Sequence, residues 1–468
     1  MIIEFSKFTP DQKHLPSVYI IGSGLAGLAA AHILEERGID CIVFESGTGP
    51  GQRTWNISSD PMEMADYGIP ESYSQLHIRR EPGGGANVWG GWCTSLRSLT
   101  MSRTDLADYP SWPITRQDLL PYYQKAGQWL AMEGVDKAMH DEVLVDGSKG
   151  LCVKQFGFSP PIRYETALKQ PIEQSSKITL VTGATVDSII FNGNKAQSIV
   201  FVEQGRTRKI DIPGQLILAG GAVGNSRLIA RSLDQLETGM ALRPYVGNYY
   251  FEHPHCYAMG KVVFSPDLAA TISDQKYWST YFISITPSAE YLKSHGLTDF
   301  NFQLHKVEVD AASAEELAIA KNYEALYGIQ PVFYLCTLGM EQMPRPNNTV
   351  LNIDTLERRQ DGHLHLDMTQ QHAVIDAART WLYNLGVHAW NGADPAPSIQ
   401  AVGHLHGTTR MGTSPENGVV DSDCRLFGAE NLYLAGSSIF PTGGFTNPTM
   451  TIVALAMRLA EHLSGARK

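Results

Sequence analysis

The chain is 468 residues long, enough for two or three domains and a large buried core, so it is no small scaffold dependent on disulfides or metal. Hydrophobic residues make up 43% and charged residues 18%, with 43 glycines and 25 prolines; this excludes a disordered polyelectrolyte, a collagen and a coiled coil. Lys and Arg number 37 against 48 Asp and Glu, a net charge of -11, and a field of that sign repels nucleic acid and anionic membrane surfaces.

The six cysteines, Cys41, Cys93, Cys152, Cys256, Cys336 and Cys424, lie at least 52 residues apart and form no C-x-x-C or zinc-ligand spacing. The pattern argues against a haem, iron-sulfur or zinc module and fits reduced thiols in a cytoplasmic protein. Met1 to Pro16 mixes Glu4, Lys7, Asp11 and Lys13 with no apolar core, so it reads as no secretory leader.

The first patterned unit is Val18-Tyr-Ile-Ile21, followed by Gly22-Ser-Gly24-Leu-Ala-Gly27 and an alanine-rich run from Leu28 to Arg37 that stops at Gly38. This is strand, tight turn and helix. A second apolar run, Cys41 to Phe44, delivers Glu45 some 18 residues after Gly27, near the ~20 expected of an acidic residue that binds a ribose hydroxyl. Gly22 permits the turn, Gly24 lets a pyrophosphate approach the backbone, and Gly27 allows close helix-strand packing, with the helix N-terminus facing the phosphates. The motif does not separate NAD from FAD. The scatter of the remaining candidate cofactor segments along the chain favours FAD, the longer molecule.

Farther on, Pro82-Gly-Gly-Gly85-Ala-Asn87-Val88-Trp89-Gly90-Gly91-Trp92 is a glycine-rich loop with two large aromatics, suited to bring backbone close to a flat or anionic group. A helix runs from Thr115 or Pro113 toward Trp129. Ile178 to Val181, Ala184 to Phe191 and Ser198 to Val202 read as strands, with a turn at Asn192-Gly193. Leu216 to Ala222 repeats the strand-glycine-helix grammar and continues into Asn225 to Ala230. Between Tyr250 and Ile399 the alternation predicts a separate substrate-binding sheet, with strands at Tyr277 to Ile285, Val332 to Leu338 and His363 to Met368, then a helix from Gln371 to Leu385. Asn301, Gln303, His305 and Tyr334 are polar candidates there for substrate contact.

The C-terminal part carries Gly403-His404-Leu-His406-Gly407-Thr-Thr-Arg410-Met411-Gly412, Asn431-Leu-Tyr-Leu434-Ala-Gly436-Ser437 and Pro441-Thr-Gly443-Gly444-Phe-Thr-Asn447-Pro448-Thr449. Together with the N-terminal motif this resembles the glucose-methanol-choline (GMC) flavoprotein oxidoreductases. Trp112-Pro-Ile, Leu216 to Ala222, Gly247 to Pro254 and Glu341 to Pro346 look like that family's internal landmarks. The Asn447-Pro448-Thr449 ending is most similar to pyranose oxidases and bacterial sugar or glycoside oxidoreductases.

The resemblance implies an α/β protein: a Rossmann-like FAD-binding domain built from residues 1-105, 170-250 and 400-468, and a β-sheet substrate domain from 106-169 and 251-399. It implies oxidation of a secondary alcohol of a sugar, glycoside or cyclitol to a ketone, with oxygen or a quinone-type acceptor. His404 corresponds to the family's base and Asn447 to its partner, which orients the substrate oxygen. The cofactor contacts implied are Gly22, Ser23, Gly24, Ala26, Gly27, Glu45, Gly85, Asn87, Val88, Trp89, Gly90, Val186, Ala219, Gly220, Gly436, Ser437, Asn447, Pro448 and Thr449.

Three points stay open in the sequence. His406 lies two residues from His404 and shares its face in an extended segment, so the base could be either. Asn447 before Pro448 also reads as an N-cap of a helix from Pro448 to Leu463, whose positive end would face the flavin. A lyase or decarboxylase on the same fold, or a flavoprotein subunit of an electron-transfer complex, are alternative functions. Two departures from the family pattern stand out: Gly436 replaces a frequent Asp, and Val88 stands where some pyranose oxidases have a histidine bonded to flavin. Val88 predicts dissociable FAD. No metal site is expected.

Overall fold

The computed structural model describes residues 1-10, 15-49, 79-160, 162-203, 206-257, 259-310, 313-350, 368-392, 399-400 and 402-465. Its first layer is a six-stranded parallel sheet in the order Ile2–Glu4, Ile178–Thr182, Cys41–Glu45, Val18–Ile21, Gln215–Leu218, Leu432–Leu434. Every residue of Val18–Ile21 and Cys41–Glu45 is buried, as a sheet covered on both faces requires, which is why these strands read as unbroken apolar runs. The helices Leu25–Glu36 and Arg116–Trp129 both pack on the C-terminal helix Thr449–Leu463, whose side chains from Met450 to Glu461 are almost all buried. Thr115 caps the Arg116–Trp129 helix in a reciprocal box with Asp118, one of the two starts expected from the sequence.

A three-stranded antiparallel sheet, Val186–Asn192, Lys195–Glu203 and Arg206–Asp211, extends from the first layer. The turn at Gly193 between the first two strands is the one the sequence predicts, with φ at 58°.

The second layer is a nine-stranded antiparallel sheet centred on Phe333–Met340, Phe300–Val307 and Ile283–Pro287. Its core is closed by the helix Met368–Gly386, whose Trp381 ring lies parallel to that of Phe302 at 6.3 Å. The predicted strand Tyr277 to Ile285 is shorter and displaced: Gln275–Tyr277 forms a 3-10 turn capped by Asp274, and pairing begins at Ile283. Of the predicted strand His363 to Met368, residues 363-367 lie outside the described residues, and Met368 opens the helix instead. Residues 106-169, assigned from the sequence to the substrate part, divide between the layers. Leu119, Tyr123 and Ala126 sit in the core of the parallel sheet, whereas Leu151 and Val153 sit in that of the antiparallel one.

Buried charges tie the two layers together. Arg97 donates to Asp299 at 2.5 Å, to Glu142 at 2.9 Å and to Thr286 Oγ1 at 3.0 Å. Lys154, fully buried, donates to Ser95 Oγ at 3.1 Å and to the carbonyls of Ala138 and His140 at 3.2 and 2.5 Å. Burial pulls the Lys154 ammonium down from 10.5 to about 7. Between those values the unfolded chain holds a proton that the folded protein releases, so this group adds stability as pH rises through the window and loses it as pH falls toward 7. Lys154→Met should therefore flatten the pH dependence of unfolding by about 1.4 kcal/mol per unit between pH 7.5 and 9.5, read from denaturant curves of the two proteins.

Candidate active site

All six parallel strands point the same way, so their carboxyl ends line one edge, where ligands of open α/β sheets bind. Four turns meet there: Gly22 to Gly27 after Ile21, Glu45 to Gly47 after Phe44, Ala219-Gly220 after Leu218, and Ala435-Gly436 after Leu434. At Gly22, φ is 105°, and a Cβ would stand 2.4 Å from the Ala219 carbonyl oxygen. A Cβ on Gly27 would stand 2.0 Å from the Gly22 carbonyl oxygen. Gly24, Gly85 and Gly436, by contrast, would direct a Cβ into open space. Two of these glycines seal the turn against the fold, and three open outward from it.

The glycine-rich loop lies on the first turn: Gly83 N donates to the Ser23 carbonyl at 3.1 Å, and Gly83 and Gly24 form a parallel bridge. Asn87 holds that loop. Its amide donates to Glu81 Oε1 and the Pro82 carbonyl, and its Oδ1 accepts from Tyr164 N at 2.9 Å. Val88 is exposed, and Trp89 is half-buried with its indole N–H buried and unpartnered among the described residues. Glu45 is 5% exposed and accepts from Ser23 N at 3.1 Å, Ser23 Oγ at 2.6 Å and Gly47 N at 2.9 Å; burial raises its carboxyl. Val186 opens its strand just beyond Ala184, whose N–H donates to the Glu45 carbonyl at 2.8 Å.

The second cluster sits where the two layers meet. The segment 251-256 runs antiparallel to 399-406, with bridges Phe251 to His406 and His255 to Gln400. This pairing sets four histidines side by side. His404 Nδ1 lies 2.5 Å from His253 Nε2, and His253 Nδ1 lies 3.2 Å from His255 Nε2. The His404 ring is half-buried. Glu252, wholly buried, accepts from Val402 N at 3.0 Å and Gly403 N at 3.1 Å, pinning the backbone immediately before His404. His406 differs in kind: it stacks on Phe251 at 4.8 Å, is fully buried, and finds no partner for either ring nitrogen among the described residues. Burial pushes it down to about 3, so it stays uncharged at working pH.

Asn447 is carried on a loop seated against the same segment. A Cβ on Gly443 would touch the Phe251 ring at 3.0 Å and the His406 ring at 3.7 Å. Gly444 N donates to Glu341 Oε1 at 3.2 Å, and Glu341 also accepts from Tyr109 OH and Asp299 N. Phe445 is buried with Phe156 and Phe282. Asn447 itself is half-buried, and its side chain makes no hydrogen bond among the described residues. The N-cap role expected of it is not realised. Pro448 takes the cap position with φ -77° and ψ -18°, the helix begins at Thr449, and no side chain caps it. The ring locks φ near the helical value one residue ahead of the first full turn, which leaves the Asn447 amide available for another partner.

Residues 346-456 match the family model described as GMC oxidoreductase, and residues 20-71 match one described as NAD(P)-binding Rossmann-like domain. The chain is similar to paromamine 6'-oxidase of Streptomyces fradiae, 24% identical over 98% of this chain and 93% of that one. The chain carries a GMC oxidoreductase C-terminal domain. It is also similar to C-glycoside 3-oxidase of Microbacterium trichothecenolyticum, 37% identical over 106 residues, a match spanning 21% of that enzyme's length. Among solved structures, pyridoxine 4-oxidase from Mesorbium loti superposes with a TM-score of 0.53 at 15% identity, covering 96% of this chain and 99% of that one, which supports the shared fold.

The chain is an FAD-dependent enzyme acting on CH-OH groups. The residues present fit that cofactor. Gly24 and Gly436 present bare backbone to open space at the carboxyl edge of the sheet, the feature a pyrophosphate needs for close approach. Glu45 closes the second strand beside them. At Gly436, φ is 109° and ψ -177°, a conformation that disfavours any side chain.

Several residues that organise this candidate site escaped the sequence reading. Asn225 accepts from Gly220 N at 2.8 Å and donates to the Ala435 carbonyl and Ser438 Oγ, so one side chain joins two of the turns. Glu252, His253 and Glu341 fall inside segments that look like family landmarks, yet their roles emerge only from the pairing of distant strands. No helix among the described residues is long and apolar enough to cross a membrane.

Proposed function

We propose that the enzyme oxidises a secondary alcohol of a sugar, glycoside or cyclitol to the ketone, with His404 as base and Asn447 as the group that orients the substrate oxygen. The observation that carries this reading is the contrast between the two nearest histidines. His404 is half-buried on a pinned backbone, with one ring nitrogen engaged by His253, whereas His406 is sealed between Phe251 and Phe440. A base must reach its substrate, and a fully enclosed ring does not.

FAD, when bound, supplies the two-electron acceptor for the hydride leaving the carbinol carbon. The protein's share is proton handling and placement. His404 Nε2 takes the hydroxyl proton, a contribution of typically ~10² to 10⁴-fold for general-base catalysis. The unengaged Asn447 amide offers an N–H to the substrate oxygen. The uncapped N-terminus of Thr449–Leu463 offers backbone N–H groups and the positive end of its dipole to an anionic group. With Val88 in the glycine-rich loop, a side chain with no nucleophile, FAD binds without a covalent bond to that residue. Relatives named as oxidases of paromamine and of C-glycosides support a polyhydroxylated substrate.

Anaerobic mixing of the yellow holoenzyme with a panel of glycosides and cyclitols tests the proposal. Bleaching of the flavin band by at least one of them, with release of the keto product, is the result expected. Turnover of a substrate with the flavin still oxidised under anaerobic conditions would establish lyase or decarboxylase chemistry instead.

A further inference from the structure

We propose that His253 is a positioning residue that holds the His404 ring and keeps its neutral-state proton on Nδ1, leaving the lone pair of Nε2 for the substrate. The inference rests on the reading of His404 as base. Its geometric basis is the line of three rings: His404 Nδ1 to His253 Nε2 at 2.5 Å, then His253 Nδ1 to His255 Nε2 at 3.2 Å. A neutral imidazole has one N–H and one lone pair, so His253, engaged at both nitrogens, donates on one side and accepts on the other. Only two arrangements satisfy the line. In one, His404 donates to His253 and His253 donates to His255; in the other every proton is moved across and His404 carries its hydrogen on Nε2. The second arrangement has no base. The first presents Nε2 unprotonated, as proton abstraction demands.

The surroundings keep His253 in the neutral form that this requires. It is fully buried, and burial, followed by the proximity of His404, His255 and His406, holds it well below the ordinary imidazole range. Burial likewise takes His255 down to about 4. The neighbouring carboxylate of Glu252 accepts from Val402 N and Gly403 N, so it fixes the His404 backbone. When His404 gains a proton, the bond from its Nδ1–H to the neutral His253 becomes charge-assisted and strengthens. His253 thus does the work that a carboxylate does for many histidine bases, through a neutral ring.

Histidine-labelled holoenzyme examined by two-dimensional nitrogen-15 NMR tests the assignment, with the His404 signals identified by their loss in His404→Gln. The expected spectrum at pH 8 has His404 protonated on Nδ1. His253→Leu should retain FAD, move the His404 proton population toward Nε2, and lower the limiting rate of flavin reduction by at least ~10-fold while substrate affinity changes by less than about threefold. His253→Gln, whose Oε1 can accept the same N–H, should recover most of the rate. A wild-type His404 protonated on Nε2 overturns the proposal, as does a His253→Leu enzyme with unchanged tautomer and rate. If His253→Leu does not fold, the wild-type spectrum and His253→Gln decide. Undiminished reduction in His404→Ala would remove the base reading alone, since the wild-type spectrum reports the His404 to His253 bond independently of turnover.

Discussion

His404→Ala is expected to remain folded and yellow while its flavin is reduced by substrate at least ~10²-fold more slowly than in the wild type. The cofactor should stay because the turns at the sheet edge, from Gly22 to Gly27 and around Gly436, are built without the His404 side chain. The fold should survive because the ring is half-buried and the adjoining backbone is held by Glu252 through Val402 and Gly403. Stopped-flow reduction under anaerobic conditions separates this loss from any change in reoxidation. Raising the pH should restore part of the rate, since a substrate alkoxide formed in solution needs no base. His406→Leu is the matching comparison. That ring packs between Phe251 and Phe440 with neither nitrogen partnered among the described residues, so an apolar replacement of similar size should change stability modestly and the reduction rate far less than His404→Ala does. A reversed ranking of the two variants would transfer the base to His406.

The cofactor half of this protein was legible because its signals are local. Val18–Ile21, the turn to Gly27 and the Leu25–Glu36 helix occupy one continuous stretch, and burial on both faces turns each parallel strand into an apolar run. The antiparallel half was not, because its defining contacts are remote in sequence: Leu151–Val153 pairs with Ile285 to Pro287, and His255-Cys256 bridges Gly339-Leu338 on one side and Gln400-Ile399 on the other. Pairings over more than eighty residues leave no periodic trace that names the partner. The same logic explains the histidines. His404 stood out through the motif around it, whereas His253 matters only because Phe251 to Cys256 lies beside Ile399 to His406. The error at Asn447 was local and small: Asn before Pro is a strong helix start, but proline occupied the cap itself and displaced the boundary by one residue.

Two glycines three positions apart in sequence, Gly24 and Gly27, should fail in opposite ways. Gly27→Ala places a Cβ 2.0 Å from the Gly22 carbonyl oxygen, a clash with backbone on which the first strand-helix crossing depends. Overpacking of that kind should cost about 3 kcal/mol of stability and lower the thermal midpoint of apoprotein and holoprotein alike. A Cβ on Gly24 meets no atom within 4 Å, and the residue's φ of -66° and ψ of 178° suit the β-branched side chain of Gly24→Val. Apoprotein stability should therefore stay within about 1 kcal/mol of wild type. The isopropyl group would fill the space that a pyrophosphate needs beside the helix N-terminus, so FAD affinity should fall by at least ~10²-fold, or about 2.7 kcal/mol. Flavin fluorescence titration and circular-dichroism melting of the two apoproteins read the outcomes independently. Wild-type FAD affinity in Gly24→Val would mean that the cofactor does not approach this turn, whereas an unchanged midpoint in Gly27→Ala would mean that the helix and strand are not packed as closely as their atoms are placed.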